Sequence, residues 1–293
     1  MALSPHAARL LLLVATSCTR SDPAPAPRTG APEASPHREP TSTAAAVVPS
    51  AAPPSAPLTP ASEPPLPPLE HAGEQVLLDV PGFQPAIVSV PSRARASHPV
   101  AVAFHGNFDR PEWQCEVFRP VLGDSGFLLC PRGKPRRDVP KRLDRWEYHS
   151  GKSMAVELDA ALAALSQRFG DRVDPGPIVF IGFSLGAIYG APIVQSNPAR
   201  FPRAVFVEGG HNAWTPHRAK KYAEAGGARL FLACGQAPCL ANAKRLAPAL
   251  EKAGLPTKSG GAPKAGHTYD GDVAAAVQAA FPWLVEGDAR WGS

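Results

Sequence analysis

The segment Gly182-Phe183-Ser184-Leu185-Gly186 places a serine hydroxyl between two glycines. A serine oxygen can attack a carbonyl carbon when a neighbouring base accepts its proton. Such a pentapeptide arises by chance in about one chain in ten of this length, so its surroundings decide its meaning. The preceding residues read PIVFI, typical of a buried strand, and the following residues read AIYGAPIV, typical of a helix. A nucleophilic Ser184 on a tight strand-to-helix turn is therefore predicted.

The elements around this turn alternate between short apolar runs and longer amphipathic ones. Runs without polar alternation favour strands covered on both faces, and alternation of strands with helices favours a mostly parallel sheet. The first two strands have no helix between them and are predicted to form an antiparallel hairpin at one edge. Strands are predicted at 76–80, 86–90, 100–104, 127–130, 178–181, 204–207 and 230–233, and helices at 111–122, 154–169, 185–195, 241–253 and 272–281.

The strand–serine–helix unit resembles the nucleophile elbow of the α/β-hydrolase superfamily, and the resemblance extends over nearly all of residues 73–290. It implies an α/β-hydrolase fold, with helices on both faces of a mostly parallel central sheet. In that family the histidine follows the serine and the acid along the chain. His267, just before the last predicted helix, matches the histidine-bearing loop, and His211 is the alternative. The implied role of His267 is general base toward Ser184.

The resemblance also implies where a tetrahedral oxyanion would be held. Two backbone N–H donors are needed. One is that of Leu185, the residue after the serine, and the other comes from the loop after the 100–104 strand. That loop begins His105-Gly106-Asn107 and resembles the family's oxyanion loop, so Asn107 is assigned as the second donor. His105 is then expected to hold the loop in place.

The acid departs from the family pattern. The loop after the 230–233 strand usually carries an aspartate, but here it reads CGQAPC and has no carboxylate. Glu208, at the end of the preceding strand, is the candidate, because some family members place the acid there. Asp270 and Asp272 remain alternatives, as does a Ser–His pair without a carboxylate.

The first residues predict export. Arg9 is followed by an apolar run too short to span a membrane, and small residues lead to Cys18. This arrangement resembles a bacterial lipoprotein signal over residues 1–18, with Cys18 as the lipid-carrying residue; ordinary signal cleavage is the alternative. Residues 19–72 are rich in proline and alanine and are predicted to form a disordered linker. Residues 73–293 are predicted to form the folded domain.

Export would place the four cysteines after Cys18 in an oxidising compartment. Two disulfides are expected in an oxidising compartment, and of three connectivities the local pairs Cys115–Cys130 and Cys234–Cys239 are favoured. The spacing gives little support to a zinc site.

The formal net charge is +5, and a basic run lies within 132–148. Without interleaved aromatics or a known motif, this run is not taken to bind nucleic acid. It is predicted to overhang the site and to attract anionic substrates or anionic surface polymers. Together these features predict a serine hydrolase of ester-like bonds that needs no metal or cofactor. Membrane contact is expected only through a lipid on Cys18, and oligomeric state is left open. A surface-anchored binding protein that kept the fold and lost activity is the alternative.

Overall fold

The computed structural model describes residues 67–292. The predicted signal segment 1–18, Cys18 and most of the predicted linker 19–72 lie outside these residues, so they stay predictions. The boundary predicted between residues 72 and 73 likewise stays a prediction. None of the helices in residues 67–292 combines the length and the apolar character that a membrane span needs.

An eight-stranded sheet runs through the domain in the order β1-β2-β4-β3-β7-β8-β9-β10. β1 pairs antiparallel with β2, and β2 antiparallel with β4, while every later neighbour pairs in parallel. The predicted parallel sheet with an antiparallel edge hairpin is confirmed. The strands are Gln75–Leu78 (β1), Ala86–Ser89 (β2), Val100–Phe104 (β3), Phe127–Cys130 (β4), Val179–Phe183 (β7), Arg203–Val207 (β8), Arg229–Cys234 (β9) and Thr257–Gly261 (β10).

Helices cover both faces of the sheet, as predicted. One apolar cluster joins a sheet face to α2, α3, α4 and α5, and a second joins the other face to α1 and α6. The central strands are buried on both sides, which is why their sequences are apolar without alternation. The helices are Pro111–Leu122 (α1), Gly151–Phe169 (α2), Leu185–Ser196 (α3), Pro216–Glu224 (α4), Ala237–Lys252 (α5) and Gly271–Val285 (α6).

One α-helix and three strands of the described residues were not predicted. α4 buries only Ala219 and Tyr222, so its apolar pattern is too sparse to stand out. β10 reads TKSGG and takes its strand form from its pairing with β9 at the sheet edge. The short strands Lys134–Pro135 (β5) and Trp146–Glu147 (β6) pair as a hairpin within the basic run.

Within residues 67–292 two disulfides are present, and they are the local pairs favoured from the sequence. Cys115–Cys130 ties α1 to the end of β4, and Cys234–Cys239 ties the end of β9 to the first turn of α5. The first closes a 15-residue separation inside the core, whereas the second closes a short loop at the carboxyl edge of the sheet.

Candidate active site

The site lies where adjacent parallel strands end in register. Phe183 of β7 pairs with Val207 of β8, and Val207 pairs with Ala233 of β9. Ser184 and Glu208 directly follow β7 and β8, and Cys234 is the last residue of β9, so all three lie at one edge of the sheet. Carboxyl edges of such sheets are where ligand crevices form.

Ser184 lies in a strained turn that requires residues without side chains on both sides of it. Its backbone has φ 48° and ψ −112°, which is unfavourable for a residue with a side chain. A Cβ on Gly182 would lie 2.8 Å from the Cα of Ala187, and a Cβ on Gly186 would lie 2.4 Å from the carbonyl oxygen of Phe104. The glycines are therefore required by close backbone approach, as expected of a nucleophile elbow.

Gly186→Ala is expected to lower the free energy of unfolding by about 1–3 kcal/mol, because the added methyl forces β3 and α3 apart. The melting temperature measures this effect. The control is Gly151→Ala at the start of α2, where the nearest atom would be 3.4 Å away, and it should be neutral or slightly stabilising. Equal melting temperatures for the two variants would contradict the packing argument.

His267 lies between Ser184 and Glu208. Its Nε2 is 2.8 Å from the Ser184 Oγ, and its Nδ1 is 3.2 Å from the Glu208 Oε2. The histidine side chain is half exposed, whereas that of Glu208 is only 2% exposed. The three predicted residues thus form one chain of hydrogen-bonding groups from a buried carboxylate to a surface hydroxyl.

Glu208 is held by the loop from which the family's usual aspartate is missing. Its Oε1 accepts hydrogen bonds from the backbone N–H groups of Gly235, at 2.5 Å, and Gln236, at 2.7 Å. These donors offset the cost of burying a carboxylate. They also fix one carboxylate oxygen, which leaves the other to face His267. The sequence could not reveal the two donors, because they are backbone groups of unremarkable residues.

The other predicted acids do not reach the ring. Asp270 Oδ1 instead accepts a hydrogen bond from the hydroxyl of Thr268, 2.5 Å away. His211, the alternative base, is buried after β8, and burial lowers its pKa. The Ser184 partner in this structure is His267.

The loop after β3 lies against the elbow. The N–H of Gly186 donates to the carbonyl of His105 at 3.2 Å. Leu185 is the first residue of α3, where N–H groups have no acceptor within the helix. Asn107 is exposed beside Ser184 in the same cleft, and its side-chain oxygen accepts a hydrogen bond from Arg136. The donor roles of the Leu185 and Asn107 N–H groups stay predictions.

His105 is fully buried beneath this loop, as expected of a structural residue. Its Nδ1 is 2.7 Å from the carbonyl of Gly106, and its Nε2 is 2.8 Å from that of Arg132. Burial lowers the pKa of His105, and the two carbonyl contacts act in the opposite direction. It joins the β3 loop to the start of the basic run.

Two residues that support the site, Asp109 and Tyr269, were not predicted from the sequence. The buried Asp109 accepts hydrogen bonds from the Tyr269 hydroxyl at 3.2 Å and from the N–H of Arg110 at 2.8 Å. Burial and the nearby Asp109 raise the pKa of Tyr269, so it remains a donor. The pair connects the β3 loop to the His267 loop. Nothing in the sequence distinguishes Asp109 from an ordinary loop aspartate.

Removal of each disulfide should give a different result. Cys115→Ala/Cys130→Ala should lower the free energy of unfolding by about 3 kcal/mol, because it frees a 15-residue loop of the unfolded chain. Its kcat should stay within about twofold of the parent where the protein is folded. Cys234→Ala/Cys239→Ala loosens the loop that holds Glu208, so its kcat should fall by about tenfold.

Melting curves measure the loss of stability, and turnover by both double variants measures the change in kcat. Each variant is the other's control, because each loses one disulfide. Equal losses of kcat would contradict a specific role for the Cys234–Cys239 loop.

A cleft of about 300 Å³ opens above Ser184. Aromatic side chains form much of its wall, and His267 and Asp270 supply polar groups. The lining residues are Asn107, Phe108, Asp109, Trp113, Phe183, Ser184, His267, Thr268, Tyr269 and Asp270. The cleft wall next to the serine is therefore partly aromatic and partly polar.

Comparison with solved structures identifies the fold. A protein from Klebsiella pneumoniae described as a candidate dienelactone hydrolase aligns with TM-score 0.52 and 16% identity, over 73% of this chain and 98% of its own. An uncharacterized protein from Bacillus cereus aligns with TM-score 0.52 and 14% identity, over 67% of this chain and 62% of its own. A Bacillus cereus carboxylesterase aligns with TM-score 0.47 and 16% identity, over 68% and 92%.

The chain has the α/β-hydrolase fold, and the fold expected from the elbow is confirmed. No protein-family model matches the sequence. No curated protein sequence matches it either.

Proposed function

We propose that this protein is a serine hydrolase that cleaves ester-like bonds through an acyl-enzyme on Ser184. The observation that carries the proposal is the connected chain of Ser184 Oγ, His267 Nε2, His267 Nδ1 and Glu208 Oε2, at 2.8 Å and 3.2 Å. A hydroxyl, an imidazole and a buried carboxylate in this order provide a nucleophile, a base and a group that orients the base.

The reaction follows from these positions. His267 Nε2 takes the Ser184 proton as Oγ attacks the carbonyl carbon, and the N–H groups of Leu185 and Asn107 stabilise the oxyanion. The imidazolium then protonates the leaving alcohol, which departs as the acyl-enzyme forms. Water, activated by the neutral imidazole, releases the acid and restores Ser184.

Fold likeness supports a hydrolase, since the candidate dienelactone hydrolase shares the architecture. Because one fold hosts many activities, the proposal rests on the site. The disulfides support a protein that works in an oxidising compartment, in line with the predicted export signal and the Cys18 anchor. We also propose a small-molecule or polymeric ester as substrate, and no nucleic-acid partner.

Labelling with a fluorophosphonate probe tests the proposal. The folded protein should gain one label, and peptide mapping should place it on Ser184. Ser184→Ala should not react, whereas Ser196→Ala, at the exposed end of the same helix, should label like the parent. Absence of label on the folded parent would favour the binding protein that lost activity.

A further inference from the structure

Two large aromatic side chains stand exposed at the mouth of the Ser184 cleft. Phe108 is 44% exposed and Trp113 is 39% exposed, and both line the cleft. Phe108 also has a left-handed backbone, with φ 64°, which a bulky residue adopts at a cost. Exposed apolar surface of this kind, next to a reactive serine, is typical of a ligand-binding surface.

Three arginines stack on these two rings. The guanidinium of Arg145 lies 4.6 Å from the Trp113 ring and 5.2 Å from the Phe108 ring. Arg110 lies 5.4 Å from the Trp113 ring, and Arg136 lies 5.6 Å from the Phe108 ring. All four distances fall within the range of cation–π contact. We call these five residues the arginine–aromatic wall.

Two of the arginines are neutralised by carboxylates. Arg110 contacts Asp144 at 2.5 Å, and Arg136 contacts Asp138 at 2.5 Å. Arg136 also contacts Glu147 at 3.3 Å. The charge of Arg136, which belongs to the basic run, is therefore balanced within the protein.

Arg145 differs from the other two. Its side-chain N–H groups donate only to the backbone carbonyls of Leu143 and Asp144, and within residues 67–292 it has no carboxylate partner. The neighbouring Asp144 carboxylate is engaged by Arg110 and by the indole N–H of Trp146. The wall thus carries one half-buried cation, Arg145, that contacts both rings and has no carboxylate partner in the described part of the chain.

We propose that the arginine–aromatic wall binds the anionic part of the substrate, an ester that carries a second carboxylate on a flat or apolar group. This inference rests on the proposed function, since the scissile carbonyl must lie at Ser184. The planar guanidinium of Arg145 matches a carboxylate through paired hydrogen bonds, and the rings of Phe108 and Trp113 cover the apolar part.

A second depression, of about 450 Å³, adjoins the wall through Arg136 and is lined by groups of both charges. Its carboxylates, Asp138 and Glu147, contact Arg136, and its other cations are the exposed Lys134 and Arg137. The Ser184 cleft itself carries Asp109 and Asp270, so attraction of anions falls to Arg145, Lys134 and Arg137, an effect that salt screens. Arg145 supplies the specific contact, and the outer cations supply attraction at longer range.

Ester hydrolysis with matched substrates tests the inference. One pair carries the charge on the acyl side: mono-4-nitrophenyl glutarate and 4-nitrophenyl pentanoate. The other pair carries it on the leaving group: 4-carboxyphenyl pentanoate and phenyl pentanoate. For each pair, the ratio of kcat/KM for the charged ester to that for the neutral one is compared between parent and variants, so intrinsic reactivity cancels.

Arg145→Gln should lower this ratio by about tenfold or more for at least one pair, and the ratio corrects for any change in turnover that charged and neutral esters share. Arg145→Lys should be intermediate, because it keeps the charge and loses the planar fork. Arg142→Gln, an exposed neighbour, is the matched control and should leave both ratios unchanged. In the parent, the ratio should fall as salt rises from 50 to 500 mM, roughly a threefold shortening of the Debye length.

The outcomes separate the two proposals. Turnover of neutral esters with ratios that do not depend on Arg145 would overturn the arginine–aromatic wall alone. No turnover of any ester, with Ser184 unlabelled, would overturn the proposed function. If Arg145→Gln does not fold, Arg145→Lys and the salt dependence of the parent decide, and ratios unaffected by both would overturn the inference.

Discussion

Replacing Ser184 with alanine should lower kcat for an activated ester on the order of 10⁵-fold, the largest effect expected of any single change in this protein. The reason is that Ser184 Oγ is the hydroxyl 2.8 Å from His267 Nε2, and alanine leaves no atom to form the acyl-enzyme. Substrate binding should change little, because the hydroxyl forms only a small part of the cleft wall.

Steady-state hydrolysis of 4-nitrophenyl pentanoate measures this loss, together with the melting temperature to show that the variant is folded. Ser196→Ala is the control and should keep the parent rate. A Ser184→Ala variant that retains more than about one per cent of the parent kcat would contradict covalent catalysis by this residue.

Glu208→Gln should lower kcat by about 10⁴-fold although it changes a single atom. The two N–H donors of Gly235 and Gln236 require an oxygen at the position of Oε1, so a glutamine there turns its NH₂ group toward His267. The His267 Nδ1 must then accept a hydrogen bond, which moves the ring proton to Nε2. A protonated Nε2 cannot take the proton of Ser184.

Comparison of Glu208→Gln with Glu208→Ala separates the effect of the wrong His267 tautomer from the loss of the carboxylate alone. Alanine imposes no tautomer, so its kcat should be higher than that of the glutamine variant, even though its stability should be lower, since two buried N–H groups lose their acceptor. Glu224→Gln, on the exposed face of α4, is the control for loss of a carboxylate. Equal rates for Glu208→Gln and the parent would remove Glu208 from the mechanism.

Ser184 and Glu208 differ in how far the sequence could identify them. Ser184 was identified from five consecutive residues and their neighbours, because an elbow depends on local sterics: the glycines allow the close approach of β3 and α3 that the turn requires. Glu208 was one of several acids that the sequence could offer. Its contact with His267 spans 59 residues, and only the pairing of β7, β8 and β9 decides which carboxylate is near.

The fold shows the same division. The apolar strands β3, β4, β7, β8 and β9 could be predicted, since strands buried on both faces need apolar residues throughout. β10 could not, because a polar, glycine-containing edge strand depends on backbone pairing with β9 rather than on its own side chains. The short strands β5 and β6 could not be predicted either, because they too depend on backbone pairing with each other.

The sequence by itself determined the class of fold, the elbow at Ser184 and the histidine loop at His267, because these depend on local geometry and on the order of elements along the chain. Only the tertiary structure decided that Glu208 faces His267 and that Gly235 and Gln236 hold it there. It also decided that Arg145, stacked on the two rings at the cleft mouth, has no carboxylate partner within residues 67–292, whereas Arg136 has one. Those properties depend on contacts between groups that are far apart in the sequence. Hydrogen bonds and ion pairs between such groups follow from packing of the folded chain and not from sequence spacing.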